Sequence, residues 1–452
     1  MVAVAAVRPL GDPDTWWHLR TGALILAEGL VDTDPWSFAS TRSWLLHEWL
    51  SEVVMYSAYA VGGYAGVVAL TAVGVAACAG LVMASCRRMA QPLIACAVFV
   101  LAIVAVMPGL SARPQLVSWV LLAAVCPSMR NYVAARRLPW WLLPVVWLWA
   151  NLHGLWLTAL VLFGFLVVGL AIEMGRREWR TTARFCGFGV LSVAVAALTP
   201  SGPALLLAPF HVREYAKFVM EWNPPSIASP SVACALLLVL IVVIDWARKP
   251  VVPPTTISYV VGATALGMLY SRTVPIIAIA VAPLAAAAAQ NWCAQERSRL
   301  RLDRLELAIW AVVLTLVIPA FGFRLAQADR PAPSALVPTT NTALLAATER
   351  LQQLPGRARV LNEYELGGWL LWSAPDVSPG IDGRADIYSV SYFEGYVDAL
   401  ALRPGWERFV NTLDVDAALL LRQTPLSTGL QSLGWTVSQE TDGLMVLLPP
   451  QR

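Results

Sequence analysis

The segment DPDTWWHLRTGALILAEGLVDTDPWSFASTRSWLLHEWLSE, residues 12–52, is the one long polar interval in the first two-thirds of an otherwise apolar chain. It carries two Asp-x-Asp pairs (Asp12/Asp14 and Asp32/Asp34), two of the four histidines (His18 and His47) and the acids Glu48 and Glu52. Around it the composition is that of a membrane protein. Of 452 residues, 58% are hydrophobic and 13% charged, with mean hydropathy +0.62. A soluble domain is about a quarter charged, so the chain reads as a polytopic α-helical membrane protein and the polar segment as the lip of a site at the membrane face.

Working outward, 44–60 alternates apolar and polar residues at helical spacing, which predicts an interfacial helix. Apolar spans follow at 64–86, 91–107, 114–129, 139–152, 154–174, 184–200, 230–247, 255–271, 274–291 and 305–323. A hydrocarbon core about 30 Å thick takes roughly 20 helical residues, so about 10–11 transmembrane helices are expected, several with short spans. Residues 1–10 are apolar but too short to cross, and read as the remainder of a truncated first helix; no cleavable signal peptide is visible.

Basic clusters fall at alternate turns: Arg87/Arg88; Arg130, Arg136 and Arg137; Arg176, Arg177, Arg180 and Arg184; Arg248/Lys249; Arg297, Arg299, Arg301 and Arg304. The positive-inside rule puts all of them in the cytoplasm. The other turns are then outside, and with them all four histidines (His18, His47, His153 and His211). The domain division expected is a transmembrane domain at 1–325 with a first outer loop at 11–60, a Pro- and Ala-rich linker at 326–340, and an extracytoplasmic α/β domain at 341–452. In that last domain the pattern predicts helices at 341–353, 366–372 and 426–433. Strands are expected at 358–362 and 417–421, with a hairpin of 436–439 and 444–448 turning at Asp442-Gly443.

Some classes are excluded. The seven cysteines show no CxxC pair and no histidine at ligand spacing, against a zinc site or a disulfide framework. A net charge of +3, spread between apolar runs, leaves nucleic acid without a basic face. His47-Glu48 is not HExxH, because Ser51 stands where the second His belongs.

DPDTWWHLRTG at 12–22, HEWLSE at 47–52, RPQ at 113–115, WANLHG at 149–154, NEYELGGWL at 362–370 and IDGRADIY at 381–388 together resemble a group of bacterial membrane proteins described as GT-C-like. The wider arrangement resembles the GT-C superfamily of membrane glycosyltransferases. That resemblance implies a sugar donor linked to polyprenyl phosphate, an envelope glycan, lipid or protein as acceptor, and work at the outer face of a bacterial inner membrane. It also implies that an acidic residue of the first outer loop, here Asp12 or Asp14, serves as base or metal ligand.

The residues bear separate readings. Asp12 and Asp14 are the catalytic candidates; Asp14, just before a helix starting near Thr15, also suits a cap, which leaves Asp12 to react. His18 shares the helix face of Asp14 and could hydrogen-bond the acceptor or the phosphate, complete a divalent metal site (Mg or Mn) with the two Asp, or simply anchor at the interface. Glu48 reads as a second acid or as charge complementing a helix N-terminus, with His47 beside it. Arg113 and Arg272 lie on the outer side, normally poor in Arg, and suit a phosphate or a lipid headgroup. Asn151 and His153 interrupt an apolar run at membrane depth, which points to function. The 200–229 loop with His211 reads as an interfacial helix with aromatic anchors, with gating of the acceptor as the functional alternative. In the last domain Asp382-Gly383-Arg384 is a tight-turn signature first, with acceptor recognition as the functional alternative. Rival functions are a transporter or flippase of a lipid-linked sugar, and a non-catalytic envelope scaffold.

Overall fold

The computed structural model describes residues 7–207, 214–293, 324–325, 328–329, 331–332 and 339–450. The expected span 305–323, the basic cluster Arg297–Arg304, His211, the first six residues and most of the 326–340 linker lie outside the described residues. The chain divides into two compact units, one of Met1–Val7, Ala69–Leu206 and Val219–Ala326, the other of Arg8–Val68, Leu207–Phe218 and Gln327–Arg452. Contacts thus divide the chain differently from composition: 11–60, placed by composition in the transmembrane domain, packs in one body with the C-terminal residues.

In the helical unit each of the first nine expected spans carries a helix. α2 (Trp49–Arg87) enters from the other unit, and α3 (Pro92–Val106), α4 (Gln115–Ala134), α5 (Leu142–Leu152), α6 (Trp156–Met174), α7 (Trp179–Ala196), α8 (Pro230–Trp246), α9 (Pro254–Gly267) and α10 (Pro275–Trp292) follow. Among the described residues five segments are long and apolar enough to cross a membrane: 49–87, 92–109, 115–134, 156–174 and 271–292. α3, α8, α9 and α10 each begin with Pro in the first turn, where its fixed φ favours the helix and its missing N–H costs nothing. The Ala-rich α10 is the buried centre, packed by α3, α4, α8 and α9; its small side chains let backbones approach closely. Outward residues such as Leu93 and Val190, 80% and 71% exposed, are apolar, as a surface bathed in hydrocarbon requires.

α2 is two helices joined across a break at Gly62 and Gly63, where the backbone leaves helical φ/ψ, so the separate elements expected at 44–60 and 64–86 are both present, the first beginning at Trp49 rather than Trp44. Gly63 has φ 57°, a left-handed conformation that glycine adopts without strain.

The other unit is built on a five-stranded sheet of order β2-β1-β3-β5-β4, with β1 Ala358–Asn362, β2 Val377–Pro379, β3 Ala417–Leu421, β4 Thr436–Glu440 and β5 Leu444–Leu448. β2, β1 and β3 are parallel, while β5 runs antiparallel to β3 and β4 to β5. Helices α11 (Asn341–Gln352), α12 (Tyr364–Ser373) and α15 (Pro425–Ser432) match the expected elements; β2, α13 (Val390–Leu400) and α14 (Trp406–Leu413) were not foreseen. The unit's core includes α1 (Pro13–Glu28) and the loop after it: Ile25, Trp36, Trp44 and Leu46 are buried with Ile381, Ile387, Tyr388 and Phe393. The chain is a polytopic helical membrane protein with a C-terminal α/β domain.

Candidate functional site

The sequence-selected residues fall into one group in the α/β unit and two sets in the helical unit. In the α/β unit, Asp12 rather than Asp14 caps α1: its Oδ1 accepts from the Asp14 N–H at 3.1 Å, and Pro13 takes the first helical position. Asp14 sits inside the helix, where its Oδ1 accepts from the Trp17 indole N–H at 3.1 Å. Gly383 packs directly on this carboxylate, since a Cβ there would lie 2.0 Å from Asp14 Oδ1. Two further glycines serve the same close packing: a Cβ on Gly368 would meet the Pro13 carbonyl, and one on Gly22 the Glu52 carbonyl.

One turn along α1, buried His18 meets two acids from the start of α2 and the residue before it. Its Nδ1 lies 3.1 Å from Glu52 Oε1 and its Nε2 3.9 Å from Glu48 Oε2. Glu52 Oε2 is buried with no hydrogen-bond partner among the described residues. Glu48 in turn holds His47, Oε1 to Nε2 at 3.2 Å, while His47 Nδ1 faces the Leu45 carbonyl at 3.1 Å. A ring with an acceptor at each nitrogen satisfies both only as imidazolium. Burial works against that charge, but the Glu48 and Asp386 carboxylates outweigh it and raise the His47 pKa to about 9. Burial likewise pushes Asp386 up, partly offset by His47. Glu52, His18, Glu48 and His47 follow one another in space as a row of acids and bases, hydrogen-bonded at each end and separated by 3.9 Å between His18 and Glu48, with Asp386 acting electrostatically on His47.

This arrangement does not assemble Asp12, Asp14 and His18 as metal ligands: Asp12 caps, Asp14 serves Trp17, and His18 is turned to the glutamates. Among the described residues no group of three or more His, Cys, Asp or Glu has ligating geometry.

The second Asp-x-Asp pair and the Asp-Gly-Arg signature meet in the interior. Arg384 donates to both Asp382 oxygens at 2.9 and 2.7 Å and to Asp34 Oδ1 at 2.7 Å; Tyr388 adds its hydroxyl to Asp382 at 2.7 Å. Burial raises the Asp382 pKa, but Arg384 outweighs it and holds this carboxyl below the usual range. The guanidinium also lies over the rings of Trp36 and Trp44, at 4.9 and 4.7 Å. The tight turn at 382–384 is present, closed by the Arg384 N–H donating to Asp382 Oδ1 at 2.9 Å, and it is also part of a fully buried ion network that sequence spacing could not show, because the third member is 350 residues distant.

In the helical unit Arg113 and Arg272 converge on one carboxylate. Arg113 Nη1 donates to Glu221 Oε1 at 2.7 Å, and Arg272 Nη1 lies 4.0 Å from Glu221 Oε2. Arg272 Nη2 donates to buried Gln115 Oε1 at 3.0 Å, and its guanidinium covers the Trp222 ring at 4.6 Å. Glu221 is borne on a short 3-10 turn, Met220–Trp222, pinned by the Ser271 N–H to the Asn223 carbonyl at 2.9 Å. Of the interfacial helix expected over 200–229, residues 208–213 lie outside the described residues; those described carry 3-10 turns at Gly202–Leu206 and Met220–Trp222 and helical residues at 214–215. Burial opposes charge on Glu221, but the two arginines prevail and its pKa is lowered. Sequence reading missed Glu221; its only signal was proximity to aromatic Trp222.

His153 and Asn151 are buried at the end of α5. His153 Nδ1 faces the Ser118 hydroxyl at 2.8 Å and the Leu155 N–H at 3.2 Å, while Ser118 accepts from the Trp149 indole at 2.7 Å. Nδ1 is therefore an acceptor, and the proton sits on Nε2. Asn151 donates back to the Trp147 carbonyl one turn earlier, at 2.8 Å.

No known family profile and no curated protein matches this sequence. Solved structures do. AglB, the archaeal oligosaccharyltransferase from Archaeoglobus fulgidus in complex with an inhibitory peptide and a dolichol-phosphate, superposes with TM-score 0.58 at 11% identity, over 98% of this chain and 71% of that one. ArnT from Cupriavidus metallidurans bound to undecaprenyl phosphate gives TM-score 0.51 at 15% identity, over 100% of this chain and 97% of that one. The fold is GT-C-like. At such identity the GT-C likeness is one of backbone architecture, and the side chains of this GT-C-like chain have to speak for its chemistry.

Proposed function

We propose that the chain is a glycosyltransferase that moves a sugar from a polyprenyl-phosphate donor to a cell-envelope acceptor at the outer face of a bacterial inner membrane. The observation that carries this reading is the convergence of Arg113 and Arg272, backed by Gln115, on a single carboxylate in an apolar helical unit. Two guanidinium groups share one carboxylate here, which leaves one positive charge over for a further anion, and guanidinium forks match phosphate oxygens. The GT-C-like fold, shared with structures bound to dolichol-phosphate and undecaprenyl phosphate, supports the same ligand class.

In the proposed reaction an acceptor hydroxyl attacks the anomeric carbon and the bond from that carbon to the phosphate oxygen breaks. The electron pair leaves with the lipid phosphate, and the hydroxyl proton passes to a carboxylate. Asp12 and Asp14 are the proposed carboxylates, with Asp14 oriented by Trp17. His18, His47 and Glu48 form the proposed acid–base chain in the same unit as these carboxylates. Arg113 and Arg272, in the helical unit, are the proposed phosphate-binding residues. Asn151 and His153 keep a proposed substrate-lining role, with the His153 Nε2–H as donor.

The test is transfer of label from a polyprenyl-phosphate sugar in membranes carrying the wild type, Asp12→Asn/Asp14→Asn, or Arg113→Ala. Loss of product in both variants is expected. Unchanged product with both aspartates replaced would remove the carboxylate mechanism.

A further inference from the structure

Resting on the reading that Arg113 and Arg272 hold a lipid phosphate, we propose that Glu221 selects which phosphate they hold. It favours the singly charged phosphodiester of a sugar donor over the more highly charged phosphomonoester left after transfer.

The argument is one of charge matching at one place. Arg113 and Arg272 bring two fixed positive charges and Glu221, held below its usual pKa between them, one fixed negative charge. The trio thus presents one net positive charge. A lipid-linked sugar phosphodiester carries one negative charge and balances it. A phosphomonoester, with a second pKa near 6, carries about −1.5 to −2 at neutral pH. Breaking the sugar–oxygen bond leaves its electron pair on the phosphate, so the added charge appears beside Glu221 as the product forms. Like charges a few ångströms apart in a partly buried place repel appreciably.

The geometry suits partial rather than full neutralisation. Glu221 engages Arg113 at hydrogen-bond distance but stands 4.0 Å from Arg272, beyond it. Arg272 is held instead by the neutral Gln115 oxygen and the Trp222 face, neither of which cancels its charge. Glu221 is 40% exposed on a three-residue turn, against 16% and 21% for the arginines. It therefore lies on the open side of the pair, where an incoming or departing anion meets it. Were its task only to brace the arginines, a neutral acceptor such as the one Gln115 provides would serve.

The full chain in lipid nanodiscs would be titrated with decaprenyl phosphate and with its monomethyl ester, for the wild type, Glu221→Gln and Arg113→Ala/Arg272→Ala. In Glu221→Gln, which keeps shape and an acceptor oxygen, affinity for the monoester should rise about fivefold or more and that for the methyl ester less than about twofold. Equal shifts for both probes, no shift, or weaker binding of both would overturn the proposal and leave Glu221 a positioning residue for Arg113. A wild type preferring the monoester by more than about tenfold, or 1.4 kcal/mol, would overturn it without any variant. Binding of both probes that is indifferent to the double arginine substitution would instead remove the phosphate site itself.

Discussion

Arg384 and Asp34 stand 350 residues apart in the chain and 2.7 Å apart in space, with side chains 1% and 0% exposed. With Asp382 they close the loop after α1 onto the C-terminal sheet. The same loop carboxylate also caps the chain after it, accepting from Trp36 and Ser37 N–H groups at 3.2 and 2.8 Å.

Removing one member of such a network leaves a buried charge uncompensated. Arg384→Ala and Asp34→Ala should each destabilise the α/β unit by about 3–5 kcal/mol. Thermal unfolding followed by limited proteolysis within 341–450 would show it. A loss below about 1 kcal/mol for both would mean that the network is solvated after all.

His47 provides a pH signature. Its folded pKa is raised to about 9 from an ordinary value near 6.5, so its stabilising contribution is fully present below 6.5 and fades as pH climbs through 9. Titration of the His47 ring resonances in the wild type should show the high midpoint, and Glu48→Gln should bring it down. A midpoint near 6.5 in the wild type would contradict the imidazolium assigned from its two acceptors.

Gly383→Ala forces a methyl group to within 2.0 Å of Asp14 Oδ1 and 2.7 Å of Trp17 Nε1. The turn or α1 must move, at a cost of about 1–3 kcal/mol. We expect a lowered melting temperature together with loss of transfer, because the shifted group is the one that orients Asp14. Full activity with unchanged melting would detach Asp14 from the proposed mechanism.

Ser118→Ala strips an acceptor from the buried Trp149 indole and a donor from His153 Nδ1. The stranded indole N–H should cost about 1–3 kcal/mol, read as a lowered melting temperature in detergent. Ser118→Thr, which keeps the hydroxyl, should recover most of it; equal losses in both would point to packing rather than hydrogen bonding.

Much of the architecture was legible beforehand. Runs of apolar residues locate nine helical segments to within a few residues, four of them opening with Pro, because length and hydropathy are local properties. Strands 358–362 and 417–421 were readable for the same reason: each is a short, mainly apolar stretch, ARVLN and AALLL. β2, VSP, was not, being three residues long and without a pattern of its own; it is a strand only because β1 supplies its hydrogen bonds. Helix α14 escaped because its periodicity is short and its N-cap, Gly405, is left-handed rather than a Ser, Thr, Asp or Asn.

The candidate site divides along the same line. Residue type alone singled out Asp12, Asp14, His18, His47, Glu48, Arg113, Asn151, His153 and Arg272, since ionisable and amide groups in an apolar chain are expensive and rarely idle. Which carboxylate caps α1, which glutamates turn His18 away from the aspartates, and that Glu221 rather than a bare surface faces the two arginines are set by partners remote in sequence. By itself the sequence determined a membrane-spanning helical chain ending in an α/β domain, because hydrophobic periodicity and composition act over a few turns at a time. Only the tertiary structure decided that Asp34 and Arg384 are buried structural partners and that Arg113 and Arg272 share an anion. Charge pairing depends on distances of a few ångströms, and no spacing along the chain encodes them.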